Sequence, residues 1–89
     1  MRYVFEFDGA KSQANRVKHG IDFVQAQEMW LDENLLCLPA RLDVEPRVLF
    51  VGMIGGEHWS AIATYRGEAI RLISVRRARA TEVRVYEGE

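Results

Sequence analysis

The chemistry of this 89-residue chain is concentrated in YRGEAIRLISVRRARATEVRVY, residues 65–86. Between Arg66 and Arg84, six arginines stand against two glutamates, a local charge of +4 in a chain of formal charge −1. A guanidinium never loses its charge near neutral pH, and its planar fork of donors suits the oxygens of a phosphate. Read blandly, the same residues are a strand end with solvated arginines. Other groups widen the chemistry. Metal-free cleavage of RNA needs a base for the 2′-hydroxyl, cations for a phosphorane-like transition state and an acid for the leaving oxygen. Lys18, His19, Arg66, Arg76, Arg77 and Tyr86 are side chains of those kinds. Imidazole exchanges protons near neutrality, so His19 suits acid or base; as a helix C-terminal residue it would equally complement the dipole. His58, beside Trp59, reads as a structural or surface residue. Tyr86 reads as an acid, a stacking platform or the anchor of its helix.

Other chemistries find no support. There is no CxxC or HExxH, the two histidines are far apart, and Gly55-Gly56 makes a hairpin turn rather than a phosphate loop. Ser12, Ser60 and Ser74 lie in no nucleophile elbow. We therefore expect neither a metal nor a cofactor. The lone Cys37, among Leu35, Leu36 and Leu38, excludes an intrachain disulfide and reads as a small buried hydrophobe.

The elements that must position these groups follow from periodicity. Tyr3, Phe5 and Phe7 alternate with other residues as in a first strand. Asp8 can cap a helix over 9–19, with Ala10, Ala14 and Val17 on its inner face and Gly20 as its stop. Lys18 and His19 then occupy its last turn. A second helix starts at Asp22, with Gln25 three residues on and Phe23, Ala26 and Trp30 facing the sheet. Residues 35–38 make a short strand ended by Pro39, and Arg41 to Pro46 is the most loop-like segment. A meander follows: strands over 47–53, 58–65 and 69–75, with turns at Gly55-Gly56 and Arg66-Gly67-Glu68. The tail from Ala78 to Glu87 forms a short helix with Ala78, Thr81 and Val85 inward, which only docking can order.

This order predicts one α+β domain over residues 1–89. An antiparallel sheet carries the two N-terminal helices on one face, beside a short C-terminal helix. Strict alternation puts Leu72, Ser74 and Arg76 on one side of the last strand and Arg71, Ile73 and Val75 on the other. Ser60, Thr64, Ser74 and Arg76 then line an open polar face, a floor on which phosphate could bind, with His58 as a candidate addition to it. No apolar run approaches the length of a membrane helix, and the acidic N-terminus lacks a signal-peptide core, so a cytoplasmic location is expected. Residues 1–45 hold five basic and eight acidic side chains; residues 46–89 hold seven and five. That balance fits a local anion site rather than a broad nucleic-acid-coating surface.

The segments FEFDGAKSQANRVKHGIDFVQA and YRGEAIRLISVRRARATEVRVYE resemble the BrnT family of toxins. The first pattern falls on Phe5, Glu6, Asp8, Lys11, Asn15, Lys18, His19, Gly20 and Phe23. The second falls on Arg66, Gly67, Ile70, Arg71, Ile73, Ser74, Arg76, Ala78, Glu82 and Tyr86. Phe7, Gly9 and Val75 depart from the usual Trp, Pro and Ala without removing a chemical group. The resemblance implies a RelE-like fold and a metal-free endoribonuclease of a type II toxin–antitoxin pair that blocks translation. It also implies a BrnA-like antitoxin with a ribbon-helix-helix part, the complex binding its own operator DNA. On that reading Lys18 and His19 handle protons and charge, Arg66 and Arg76 bind phosphate, and Tyr86 stacks or donates a proton. Arg71, Ser74 and Arg77 would hold RNA. The competing reading is a non-catalytic module that docks an acidic antitoxin segment or operator phosphates. The strand over 35–38 offers a homodimer contact, and the antitoxin a heterotetramer.

Overall fold

The computed structural model describes residues 3–40 and 46–89, so most of the loop expected from Arg41 to Pro46 lies outside the described residues. Strand β1 (Val4–Glu6) leads into helix α1 (Gly9–His19) and a 3₁₀ helix (Gln25–Leu31). Strands β2 (Leu36–Pro39), β3 (Val48–Ile54), β4 (Glu57–Arg66) and β5 (Ala69–Arg77) follow, and helix α2 (Ala80–Tyr86) ends the order. The sheet runs β1-β5-β4-β3-β2. It is mixed, which corrects the all-antiparallel expectation: β1 pairs with β5 in parallel, Val4 to Ala69 and Glu6 to Arg71. Side-chain alternation reports that a segment is a strand, not which way its partner runs.

One face of the sheet carries the core. Phe23, before the 3₁₀ helix, and Ala26, Met29 and Trp30 of it close over Phe50, Trp59, Ala61, Ile70, Leu72 and Val75. Phe5 meets Trp30, and Phe7 meets Phe23, edge to face at centroid distances of 4.9 and 5.8 Å. Strict alternation fails in β5, because the β4–β5 register shifts between Ile62 and Ala63. Ala61 faces Val75 but Ala63 faces Leu72, leaving Ile73 as the extra residue of a bulge. Leu72 therefore lies on the core face with Val75, not with Ser74 and Arg76.

Helix α1 has the expected bounds, for the expected reasons. Asp8 accepts hydrogen bonds from Ala10 N and Lys11 N, and these backbone donors hold its carboxyl below its usual pKa. Gly20 takes φ 78°, where a Cβ would be strained, and its N–H reaches the Arg16 carbonyl. The inner face of α1 is not the expected one. Ala10, Ala14 and Val17 are exposed, whereas Ser12 and Asn15 are buried. Asn15 Nδ2 donates to the carbonyls of Ile21 and Val75, both at 2.8 Å, and its Oδ1 accepts from Val75 N at 3.1 Å. Strand β1 pairs β5 only as far as Arg71, so Val75 has no strand beyond it; the Asn15 amide satisfies its backbone instead. The Ser12 hydroxyl accepts from Phe23 N. A face built for backbone groups must be polar, which is why counting apolar residues misplaced it. Cys37 is also corrected: on edge strand β2 it is exposed.

Candidate active site

The face of β4 and β5 opposite the core holds Ser60, Thr64, Ser74 and Arg76, as alternation along β4 requires. It is not open. Ser60 is 0% and Thr64 3% exposed, because other parts of the chain lie over them. The Thr64 hydroxyl donates to the Pro46 carbonyl, and Ser60 donates to Glu82 of α2.

Helix α2 is seven residues long and buries none of its side chains fully. Its inward residues are Glu82, Val83 and Tyr86, whereas Thr81 and Val85, expected inward, are exposed. Ionised and polar contacts supply the order that so short a helix lacks. Arg76 grips Glu82 with two parallel bonds, Nη1 to Oε1 at 2.8 Å and Nη2 to Oε2 at 2.9 Å. Glu82 Oε1 also accepts from Ser60 Oγ and from Arg79 N at the helix start. The Arg76 bonds are the largest influence on Glu82; although burial opposes them, its pKa falls to about 2. Glu82 in turn raises the pKa of Arg76.

A second set of contacts fastens the other end of α2. Tyr86 Oη donates to Asp32 Oδ2 at 2.6 Å, and the same oxygen accepts from Met53 N at 2.8 Å. Burial, then Asp32, push the Tyr86 phenol up to about 12. Burial works against ionisation of Asp32, yet bonds from Tyr86, Asn34 N and Met53 N hold its pKa below the usual range. Gly52 makes room here, since a Cβ on it would meet Leu35 at 2.8 Å and Asp32 at 3.4 Å. His58 Nε2 lies 2.7 Å from Glu87, and its ring meets Tyr86 edge to face at 5.3 Å.

The expected site residues fall into two groups. Ser60 pairs with Arg76, and His58 sits two residues before Ser60 on the same face, about 7 Å along the strand. Ser74 is the same distance from Arg76 on β5. Arg77 ends that strand but turns to the core side, where its guanidinium lies 5.4 Å from the Trp59 ring and bonds Glu57 at 3.1 Å. Helix α1 starts at Asp8, on which the Arg71 charge acts, and reaches Val75 through Asn15. Its last turn carries Lys18 and His19 past Val75, on the core side of β5, whereas Arg76 faces the other side of the sheet with Ser60. Neither Lys18 nor His19 has a hydrogen-bond or ion-pair partner among the described residues.

Arg66 and Arg71 belong elsewhere. Arg66 pairs with Ala69 beside the Gly67 turn, six residues along β4 from Ser60 and so about 20 Å from the Arg76 end. Arg71 bonds Glu6 at 3.3 Å across the parallel β1–β5 pair. Sequence reasoning offered His58 only as a possible addition to the phosphate floor and did not assign Asp32, Glu82 or Glu87 to the site. Two signals pointed to some of them: His58 shares the alternation of Ser60, and Glu82 stands at the third position of the last helix.

What this end of the molecule offers is a guanidinium, an imidazole, a phenol and hydroxyls on one surface, its cations held by carboxylates. Among the described residues no three His, Cys, Asp or Glu side chains converge as metal ligands. The profile of a family described as the ribonuclease toxin BrnT of type II toxin–antitoxin systems matches residues 7–82. A comparison with curated proteins found no match. With most of its length inside that profile, the chain belongs to the BrnT family of ribonuclease toxins.

Proposed function

We propose that the chain is an endoribonuclease toxin whose RNA site is the Arg76 end of the sheet, working with no metal ion. The observation that carries this reading is the Arg76–Glu82 pair. Glu82 presents two oxygens to the fork of Arg76 in the geometry a phosphate would use, so in the free protein a carboxylate of α2 occupies the donors that RNA would take. When RNA displaces Glu82, Arg76 faces the scissile phosphate, with Arg77 and Lys18 adding charge at the same end. The imidazoles of His58 and His19 are assigned to acid–base work, one to activate the 2′-hydroxyl and the other to protonate the leaving oxygen. Tyr86 donates a hydrogen bond to Asp32 and keeps its proton, so we assign it to stacking on a base and to holding His58 rather than to proton donation. Ser74 and Arg71 extend the track for the RNA strand. Arg66, at the far end of the hairpin, contacts RNA only outside the reacting phosphate.

The biological consequence we propose is arrest of translation, relieved by an antitoxin with a ribbon-helix-helix part, the complex binding its operator. The experiment is cleavage of end-labelled RNA by the purified chain in excess EDTA, with His58→Ala and His19→Ala alongside. Cleavage that persists in EDTA and falls in both histidine variants supports the account. Activity abolished by EDTA and restored by a divalent ion overturns the metal-free part. If the chain leaves RNA intact both free and in a translation extract, and does not arrest growth when produced alone, the non-catalytic reading stands instead.

A further inference from the structure

An apolar surface follows the 3₁₀ helix, one end of it reaching Asp32, which holds Tyr86. Three adjoining cavities of about 450, 350 and 300 Å³ lie along it. Tyr3 and Trp30 line both the first and the second, and Glu28 and Leu31 line both the second and the third. The track thus runs from Tyr65, near the Gly67 turn, past Val24 and Leu31, to Asp32 and Gly55. Over a buried floor of Trp30, Phe50 and Ile70, other apolar side chains stand open to solvent: Leu31 is 82% exposed, Val24 64% and Val4 60%. Scattered exposed apolar residues need no explanation, but a contiguous run of them marks a partner's seat.

The charges on the track say what kind of partner. Glu68 borders the first cavity and Glu28 the second and third, and neither has an ion-pair partner among the described residues. A second copy of this chain docked face to face would bring carboxylate against carboxylate. A partner with apolar side chains in the middle and lysine or arginine toward both ends satisfies the whole track.

We propose that this track is the docking surface for the antitoxin that membership of a type II toxin family implies, taken up by a segment of that chemistry. The proposal rests on the family and on this surface, not on the assignment of the RNA site, so the two fail separately. Leu31 and Val24 are the anchors and the two glutamates set the orientation.

The test measures the affinity of the co-encoded antitoxin for the toxin by calorimetry, with wild type, Leu31→Glu, Val24→Glu and the double reversal Glu28→Lys/Glu68→Lys. Val17→Glu, at the 89% exposed Val17 on α1, is the control for an added charge outside the track. Far-ultraviolet circular dichroism and thermal melting establish that each variant is folded. The expected result is at least about a tenfold loss of affinity for Leu31→Glu and for the reversal, with Val17→Glu unchanged. RNA cleavage by antitoxin-free Leu31→Glu stays at the wild-type level. Wild-type affinity in both Leu31→Glu and Val24→Glu overturns the proposal. So does sedimentation showing that wild type self-associates through this face, with Leu31→Glu a monomer that binds antitoxin normally.

Discussion

Helices α1 and α2 both dock through polar groups, yet by opposite chemistry. Helix α1 is fixed by neutral groups, the Asn15 amide and the Ser12 hydroxyl, which complete the backbone hydrogen bonds of residues far away in sequence. These bonds are buried, and no water or ligand substitutes for them without opening the core. Helix α2 is fixed by ionised groups at a rim: Glu82 on Arg76, Tyr86 on Asp32 and Glu87 on His58. Each of these pairs contains one group, Arg76, Tyr86 or His58, to which the proposed function gives a role on RNA. A fold that must keep its shape uses the first kind of attachment; a surface whose contacts must be exchanged for a phosphate uses the second.

The comparison is broken most forcefully at Asn15. Replacing Asn15 by Ala leaves Val75 N, Val75 O and Ile21 O without partners, which should cost about 3–5 kcal/mol. Chemical denaturation should show a large fall in midpoint, and thermal melting a drop of roughly 15 °C or more. A shift of only a few degrees would mean that the amide is not what holds α1.

At α2 the expected effect is smaller and local. Glu82→Gln should loosen the helix by about 1–2 kcal/mol, a value kept low because the rim is partly solvated, while the core stays intact. Hydrogen exchange should quicken at the amides of 80–86 and not at those of β4 or β5. Global destabilisation would place α2 among the structural elements and undo the contrast.

Acid probes the same contact without mutation. The Glu82 carboxyl is depressed in the folded chain, from the ordinary 4.5 to about 2. Its stabilisation is therefore complete above about pH 4.5, declines as the pH falls toward 2, and is absent below that. Exchange at α2 should quicken across this window, and the Glu82→Gln chain should lack that component. The α1 bonds, made by groups that do not titrate, should not follow it. The smallest effect belongs to Tyr86→Phe, which removes one bond to Asp32 and should cost about 1 kcal/mol.

The residues also show why some of this was legible in sequence and some was not. Asp8 and Gly20 bound α1 through local chemistry, and the turns at Gly55-Gly56 and Gly67 bound the hairpins, so these elements could be read directly. A helix after Asp22 was legible from the spacing of Ala26 and Trp30, but it is a 3₁₀ helix that begins at Gln25 and leaves Phe23 in the turn before it. What depended on distant partners could not be read. Asn15 is inward because Val75 lacks a neighbouring strand, a fact that lies 60 residues away. Strand β1 runs parallel to β5 for reasons of chain path that its three residues do not encode. The bulge at Ile73 shifted Leu72 to the core while leaving the polarity pattern unremarkable. For the candidate site, the stretch over 65–86 pointed through Arg76, Arg77 and Tyr86 to the end of the molecule proposed here to bind RNA. It also drew in Arg66, which a hairpin sets about 20 Å away. Sequence showed the cations; only the fold showed the carboxylates that hold them.

That separation supplies the most direct test. RNA cleavage should be compared between Arg76→Ala and Arg66→Ala, both first established as folded. Arg76→Ala should lose at least about 100-fold, the scale of removing a group that faces transition-state charge. Arg66→Ala should change within about threefold, as for a contact to backbone phosphate alone. Equal losses at both positions, or wild-type cleavage by Arg76→Ala, would contradict an RNA site built on the Arg76 end.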